Sequence, residues 1–111
     1  MITAMLRIDV GDDKRAEVNR LLRSLIGPTR VETGCISCRL YSEADNPNIV
    51  TWMEEWRSED DLRRHLQSPQ YRKILAALDM SDVQPEIRFD TVVETAGMRL
   101  IAEARGVKES D

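Results

Sequence analysis

This chain of 111 residues is poor in the side chains that most often advertise a function: one histidine, two cysteines and only 5% aromatic residues. Its apolar runs stop after a few residues, far short of the ~20 that cross a bilayer, so no membrane-spanning helix is expected. The opening Met1-Ile2-Thr3-Ala4-Met5 lacks the basic and long apolar regions of a secretory leader, so a cytoplasmic location is expected. Clustered positive charge is also missing. Sixteen Lys+Arg against twenty Asp+Glu give a net charge of −4, spread along the chain, which argues against a nucleic-acid partner. No glycine-rich phosphate loop and no metal-spaced cluster is present, so neither a cofactor nor a metal ion is expected.

The cysteines, Cys35 and Cys38, have CxxC spacing but lie in a strand-like run that ends in Arg39-Leu40-Tyr41. On a regular strand such a pair projects to opposite faces, with Cα atoms roughly 10 Å apart. That exceeds the ~7 Å limit for a disulfide. A redox pair needs a helix N-terminus beneath it and a structural zinc site needs more ligands, so both are expected to be small, reduced strand residues.

What is present is a soluble balance, 41% hydrophobic and 32% charged, in a length that supports one domain. Ile2, Ala4, Leu6, Ile8 and Val10 alternate with polar positions, as a half-buried strand requires. Gly11-Asp12-Asp13 breaks the pattern and offers an N-cap, and Val18, Leu21, Leu22, Leu25 and Ile26 follow at helical spacing. Gly27-Pro28 is expected to kink or end that helix, with a short turn stopping at Gly34. Cys35–Glu43 and Ile49–Arg57 read as strands joined by the turn-rich Ala44–Asn48, with Ile36, Cys38 and Leu40 sharing a face. Ser58, with Asp61 three residues on, opens a second helix carrying Leu62, His65 and Leu66. Ser68-Pro69 restarts it as an N-cap followed by a first-turn proline, and Pro85–Thr95 forms a last strand. Met98–Ile101 is read as a short strand or arm. Residues 1–101 are expected to form the domain and 102–111 a polar tail.

The order β-α-β-β-α-β predicts an α+β, ferredoxin-like antiparallel sheet with helices on one face. The opposite face would carry Thr3, Met5, Arg7, Ser37, Arg39, Tyr41, Met53, Glu55, Arg88, Asp90 and Val92. Methionine and tyrosine among charges of both signs suit an interface between two copies, so a sheet-to-sheet homodimer is expected.

Gly34-Cys35, Leu40-Tyr41, Asp45-x-Pro47, Glu54-x-Trp56-x-Ser58 and His65-Leu66-x-Ser68-Pro69 occur here in an order and spacing that carry a family likeness. The chain resembles the antibiotic biosynthesis monooxygenase domains, dimeric α+β barrel proteins that include cofactor-free quinol monooxygenases, over about residues 2–95. The resemblance implies oxidation of a small aromatic, quinol-like molecule by O2. It matches Trp56 to a pocket-lining tryptophan, Glu54 to the acidic residue before it, and His65 to the histidine ahead of Ser-Pro in the quinol-oxidising and isomerase branches. It also has gaps. Gln70 stands where a second histidine is often found, Leu6 stands near the haem degraders' first-strand asparagine, and Trp52 replaces the asparagine of the polyketide-oxidising branch.

Val50, Trp52, Glu54 and Trp56 share one face of their strand by the two-residue period. If that face meets the helices, Glu54 must be hydrogen-bonded, paired or protonated there. His65 alone titrates near neutrality, and a neutral imidazole within reach of an aromatic hydroxyl can take its proton. His65 and Glu54 are therefore the candidate catalytic residues, with Trp56, Tyr71 and Trp52 the candidate substrate-binding walls. Each has a plainer reading: Glu54 as a structural carboxylate, His65 as a half-buried helix residue, the rings as core. A non-catalytic homodimeric binding module and a His/Glu-dependent isomerase are the alternatives. The oxidative reading requires His65 and Trp56 to open onto a shared dry cavity.

Overall fold

The computed structural model describes residues 1–107. Its elements run β1 (Ile2–Asp9), α1 (Gly11–Arg30), β2 (Cys35–Ser42), β3 (Ile49–Trp56), α2 (Glu59–Gln67), α3 (Tyr71–Asp79), β4 (Glu86–Thr91) and α4 (Met98–Ala104). The strands form one antiparallel sheet in the order β2-β3-β1-β4, the ferredoxin-like arrangement expected of the sequence. Alternation on β1 and β3 sends Ile2, Ala4, Leu6 and Ile8 to the same face as Val50, Trp52, Glu54 and Trp56. The helices cover that face, and Val18, Leu22 and Leu25 of α1 and Ile74 and Ala77 of α3 complete the core over it. The opposite face, with Thr3, Met5, Arg7, Met53 and Glu55, is only half-buried.

Local chemistry departs from expectation at five places. α1 runs through Gly27-Pro28 to Arg30, because a proline in the last turn forfeits a single intrahelical bond and leaves the preceding turns intact. Its start has no side-chain cap. Gly11 takes φ +68°, and Asp12 and Asp13 lie inside the first turn, where their charge opposes the positive end of the helix dipole. Ser68 closes α2 instead of capping α3, its Oγ donating to His65 O at 2.7 Å, and Pro69 sits in the connecting turn. Residues 98–104 form the helix α4 where a strand or arm was expected.

The fifth departure bears on the site. A β-bulge at Ile36 leaves Cys35 paired with Trp56 and Cys38 with Glu54, so both cysteines lie on the helix-side face. Ile36 is turned out to solvent, away from the face it was expected to share with Cys38. Both thiols are free. The α2 start is as expected: the Asp61 backbone N–H donates to Ser58 Oγ at 3.2 Å. The expected tail, 102–111, begins within α4, and its last residues, 108–111, lie outside the described residues. No helix among the described residues is long and apolar enough to cross a membrane.

Candidate functional site

Glu54 enters the core because period-2 alternation on β3 leaves it no other direction between Trp52 and Trp56. It is held there by three donors. Trp52 Nε1–H donates to Oε2 at 2.7 Å, Trp56 Nε1–H donates to Oε1 at 3.0 Å, and His65 Nε2 lies 2.8 Å from Oε2. Trp52 and Trp56 reach it because residues two apart on a strand flank the one between them on the same face.

His65 arrives from the last turn of α2, on the buried side with Leu62. Its Nδ1 meets the carboxylate of Glu32 at 2.9 and 3.0 Å. Both ring nitrogens therefore point at carboxylates, an arrangement satisfied only when both carry a proton. Burial by itself would pull the imidazole pKa down, but the hydrogen bonds and charges of Glu54 and Glu32 outweigh it, and the net shift is upward from 6.5. The side chain of His65 is 0% exposed and that of Glu54 2%, whereas Glu32 is 25% exposed. The imidazolium is also stacked against Trp56, centroids 4.6 Å apart at 30°, and meets the edge of Tyr71 at 5.1 Å.

Three further groups border the cluster. Tyr71 is pushed up to about 12 by burial and by the charge of Glu54, which keeps its phenol neutral. Cys35 is raised to about 11 by burial and by Glu54 and Glu32, and Cys38 is raised further for the same reasons. Neither thiol is a nucleophile near neutrality. No buried side-chain nitrogen or oxygen among the described residues lacks a hydrogen-bond partner. No group of His, Cys, Asp and Glu among them is arranged to hold a metal ion.

All five residues singled out from the sequence thus converge. They do not line an open cavity. The void expected between His65 and Trp56 is filled by the ring contact itself. A groove of about 220 Å³ is bordered by Glu59, Leu62, Arg63, Leu66 and Phe89. Leu62 and Leu66 pack on Trp56, so that groove is separated from the cluster by one layer of side chains.

Sequence reasoning missed Glu32. It lies 33 residues before His65, in the turn after α1, and no spacing rule links the two. Its backbone is fixed on both sides, its N–H donating to Thr29 O at 3.1 Å and its carbonyl accepting from Cys35 N at 3.1 Å. Gly34 completes the turn at φ +82°, where an added Cβ would collide with Asp61 of α2. The turn is therefore pressed against the helix that carries His65.

The family described as "Antibiotic biosynthesis monooxygenase" matches residues 1–77. A Synechocystis protein, sll1783, of uncharacterised function, is 32% identical over 79% of this chain and 60% of its own length. Rv0793 of Mycobacterium tuberculosis, provisionally named a monooxygenase, is 42% identical over 53% of this chain and 57% of its own. The chain thus spans about 60% of the length of the curated relatives it matches. Among solved structures, Rv0793 superposes with TM-score 0.77 at 27% identity, over 86% of this chain and 98% of that one. A conserved protein of Methanosarcina mazei superposes with TM-score 0.74 at 34% identity, over 80% and 89%.

Proposed function

Because the chain belongs to the antibiotic biosynthesis monooxygenase family, we propose that it oxidises a small aromatic, quinol-like molecule with O2 and without a cofactor. The observation that carries this reading is the buried Glu54–His65–Glu32 cluster. A buried ion pair is a poor way to gain stability, since desolvation consumes most of the attraction. Two ionisable side chains in an otherwise apolar core with a third at its edge, one of the three with a shifted pKa, are a recurrent mark of a functional site.

The chemistry needs no external reductant. Loss of a hydroxyl proton turns a hydroquinone into an electron-rich aryloxide, which passes an electron to O2. Recombination places one oxygen atom on the ring and releases the other as water, so hydroquinone and O2 give hydroxyquinone and H2O. His65 is the proton acceptor in this scheme, with Glu54 orienting its ring and Trp56, Trp52 and Tyr71 forming the wall behind it. As the cluster stands both ring nitrogens are occupied, so the acceptor form requires one carboxylate to let go. The shared cavity between His65 and Trp56 is closed by packing, so the scheme needs the Leu62–Leu66 layer to part and join the groove beside Phe89 to His65. A cavity of about 150 Å³ already suffices for benzene.

The half-buried outer face of the sheet supports a homodimer. There Met5 and Met53 sit side by side, flanked by Arg88 and Arg39. Its neighbouring row pairs Ser37 with Glu55 through a 2.6 Å hydrogen bond. One observation favours a second reading, a non-catalytic binding module: His65 and Glu54 are closed off from water and fully hydrogen-bonded.

Oxygen uptake with a hydroquinone panel, without added flavin or metal, separates the readings. Uptake matched to substrate loss, and reduced by about 10²-fold or more in His65→Ala, is the expected result. Turnover with no oxygen consumed points to an isomerase, and binding without turnover to the module. Either outcome overturns the oxygenase reading.

A further inference from the structure

The three members of the buried cluster differ in one respect that matters for proton traffic. His65 and Glu54 are closed off from water, and Glu32 alone reaches it. Glu54 is also immobilised by two indole N–H groups besides His65, whereas the Glu32 carboxylate has His65 as its sole hydrogen-bond partner among the described residues. Of the two carboxylates, Glu32 is the one that can leave.

We infer that Glu32 is the positioning residue and proton port of this site. Seated on Nδ1, it keeps His65 a cation and the site at rest. Swung toward solvent, it carries the Nδ1 proton out and leaves a neutral imidazole, still anchored by Nε2–H on Glu54, with a free lone pair at Nδ1. The step is a proton transfer alone: the N–H bond of Nδ1 breaks, an O–H bond forms on Glu32, and water takes the proton on. This rests on the oxygenase reading for its purpose, though its geometry does not depend on it.

Four elements besides α2 bring titratable groups to the cluster. β3 supplies Glu54 and the two neutral indoles, and α3 supplies the neutral phenol of Tyr71. β2 supplies the protonated thiols of Cys35 and Cys38, and α1 ends in Arg30, whose Nε–H donates to Cys38 O at 3.1 Å. Glu54 and Glu32 are the anions in contact with the imidazole, so removing the charge of Glu32 halves the number holding its proton.

A chain with one histidine makes the test direct, because ¹⁵N spectra of the imidazole contain one ring. In the wild type the ring should still be doubly protonated above pH 6.5. In Glu32→Gln the midpoint should fall by about one unit or more, as expected for losing an opposite charge within ~4 Å, and Glu32→Asp should restore part of it. In the unmodified protein Nδ1–H should exchange with water faster than Nε2–H, a readout that needs no variant to fold. An unchanged midpoint in Glu32→Gln, or faster exchange at Nε2, overturns the proposal. These measurements need no turnover, so absence of oxygen uptake in the wild type removes the oxygenase reading and leaves the port standing or falling by itself. Where uptake is present, the acid limb of the kcat profile in Glu32→Gln should move down by the same interval with KM little changed.

Discussion

On β3 the helix-side residues Val50, Trp52, Glu54 and Trp56 are all buried, and their polar atoms are all hydrogen-bonded. On β4 every residue is exposed, including Ile87 at 48% and Phe89 at 46%, which lie on that same helix-side face. Backbone pairing does not explain the contrast, since β1 pairs with both strands over most of its length. What differs is the cover. α2 and α3 deliver His65 and Tyr71 to the face of β3, whereas Phe89 of β4 meets α2 across an open groove. A single chain therefore completes its polar cluster unaided and leaves its sheet edge unfinished.

The largest effect should come from the finished side. Glu54→Ala removes the acceptor of two indole N–H groups and of the imidazolium at once. Breaking a buried pair in this way costs about 3–5 kcal/mol. Urea unfolding should show it as a large drop in midpoint with little change in slope. A loss below about 1 kcal/mol would mean that water enters the cluster in solution and that the two strands are less different than they look.

The outer face should respond next. Met53→Lys places a cation in a row that already runs Arg88, Met5, Met53, Arg39. If two copies meet there, the dimer dissociation constant should rise about 100-fold, or about 2.8 kcal/mol, in sedimentation equilibrium. Unchanged association would place the interface elsewhere, with the β4 edge the next surface to test.

A pH series sharpens the comparison from inside the cluster. The folded pKa of His65 is raised above its unfolded value, so its contribution to stability is complete below about pH 6.5. That contribution is lost as pH rises through the folded value. Urea midpoints should therefore decline as pH rises above about 6.5 in the wild type, and this component of the decline should be absent in His65→Gln. A wild-type midpoint that is flat there would show that the ring is not the cation its two carboxylates require.

Much of this was legible in the residues. Period-2 patterning fixed which face of β3 holds Trp52, Glu54 and Trp56, and helical spacing put His65 beside Leu62. The Ser58 cap and the left-handed Gly34 were readable from local chemistry. What escaped depends on tertiary contact or on a break in regularity. The bulge at Ile36 puts the two cysteines on one face where two were expected, because one extra residue resets the alternation, although both remain free strand residues. Glu32 looked like one acid among many in a turn, and its role comes from the turn being pressed onto α2. The filled space between His65 and Trp56 depends on packing that no periodicity reports.

The smallest effect, and the one most able to overturn the contrast, belongs to Phe89. A fully buried phenylalanine costs about 3–5 kcal/mol when cut to alanine. Phe89 is nearly half exposed and borders the groove beside Leu62 and Leu66. Phe89→Ala should therefore cost only about 1 kcal/mol in dilute protein, because little apolar area leaves water when the ring packs. The measurement is best made at two protein concentrations. A small loss that does not change with concentration leaves β4 an open edge and the groove a place for a small molecule. A loss near 3 kcal/mol that appears only at high concentration means that a second copy covers the strand, and the groove is then part of an interface.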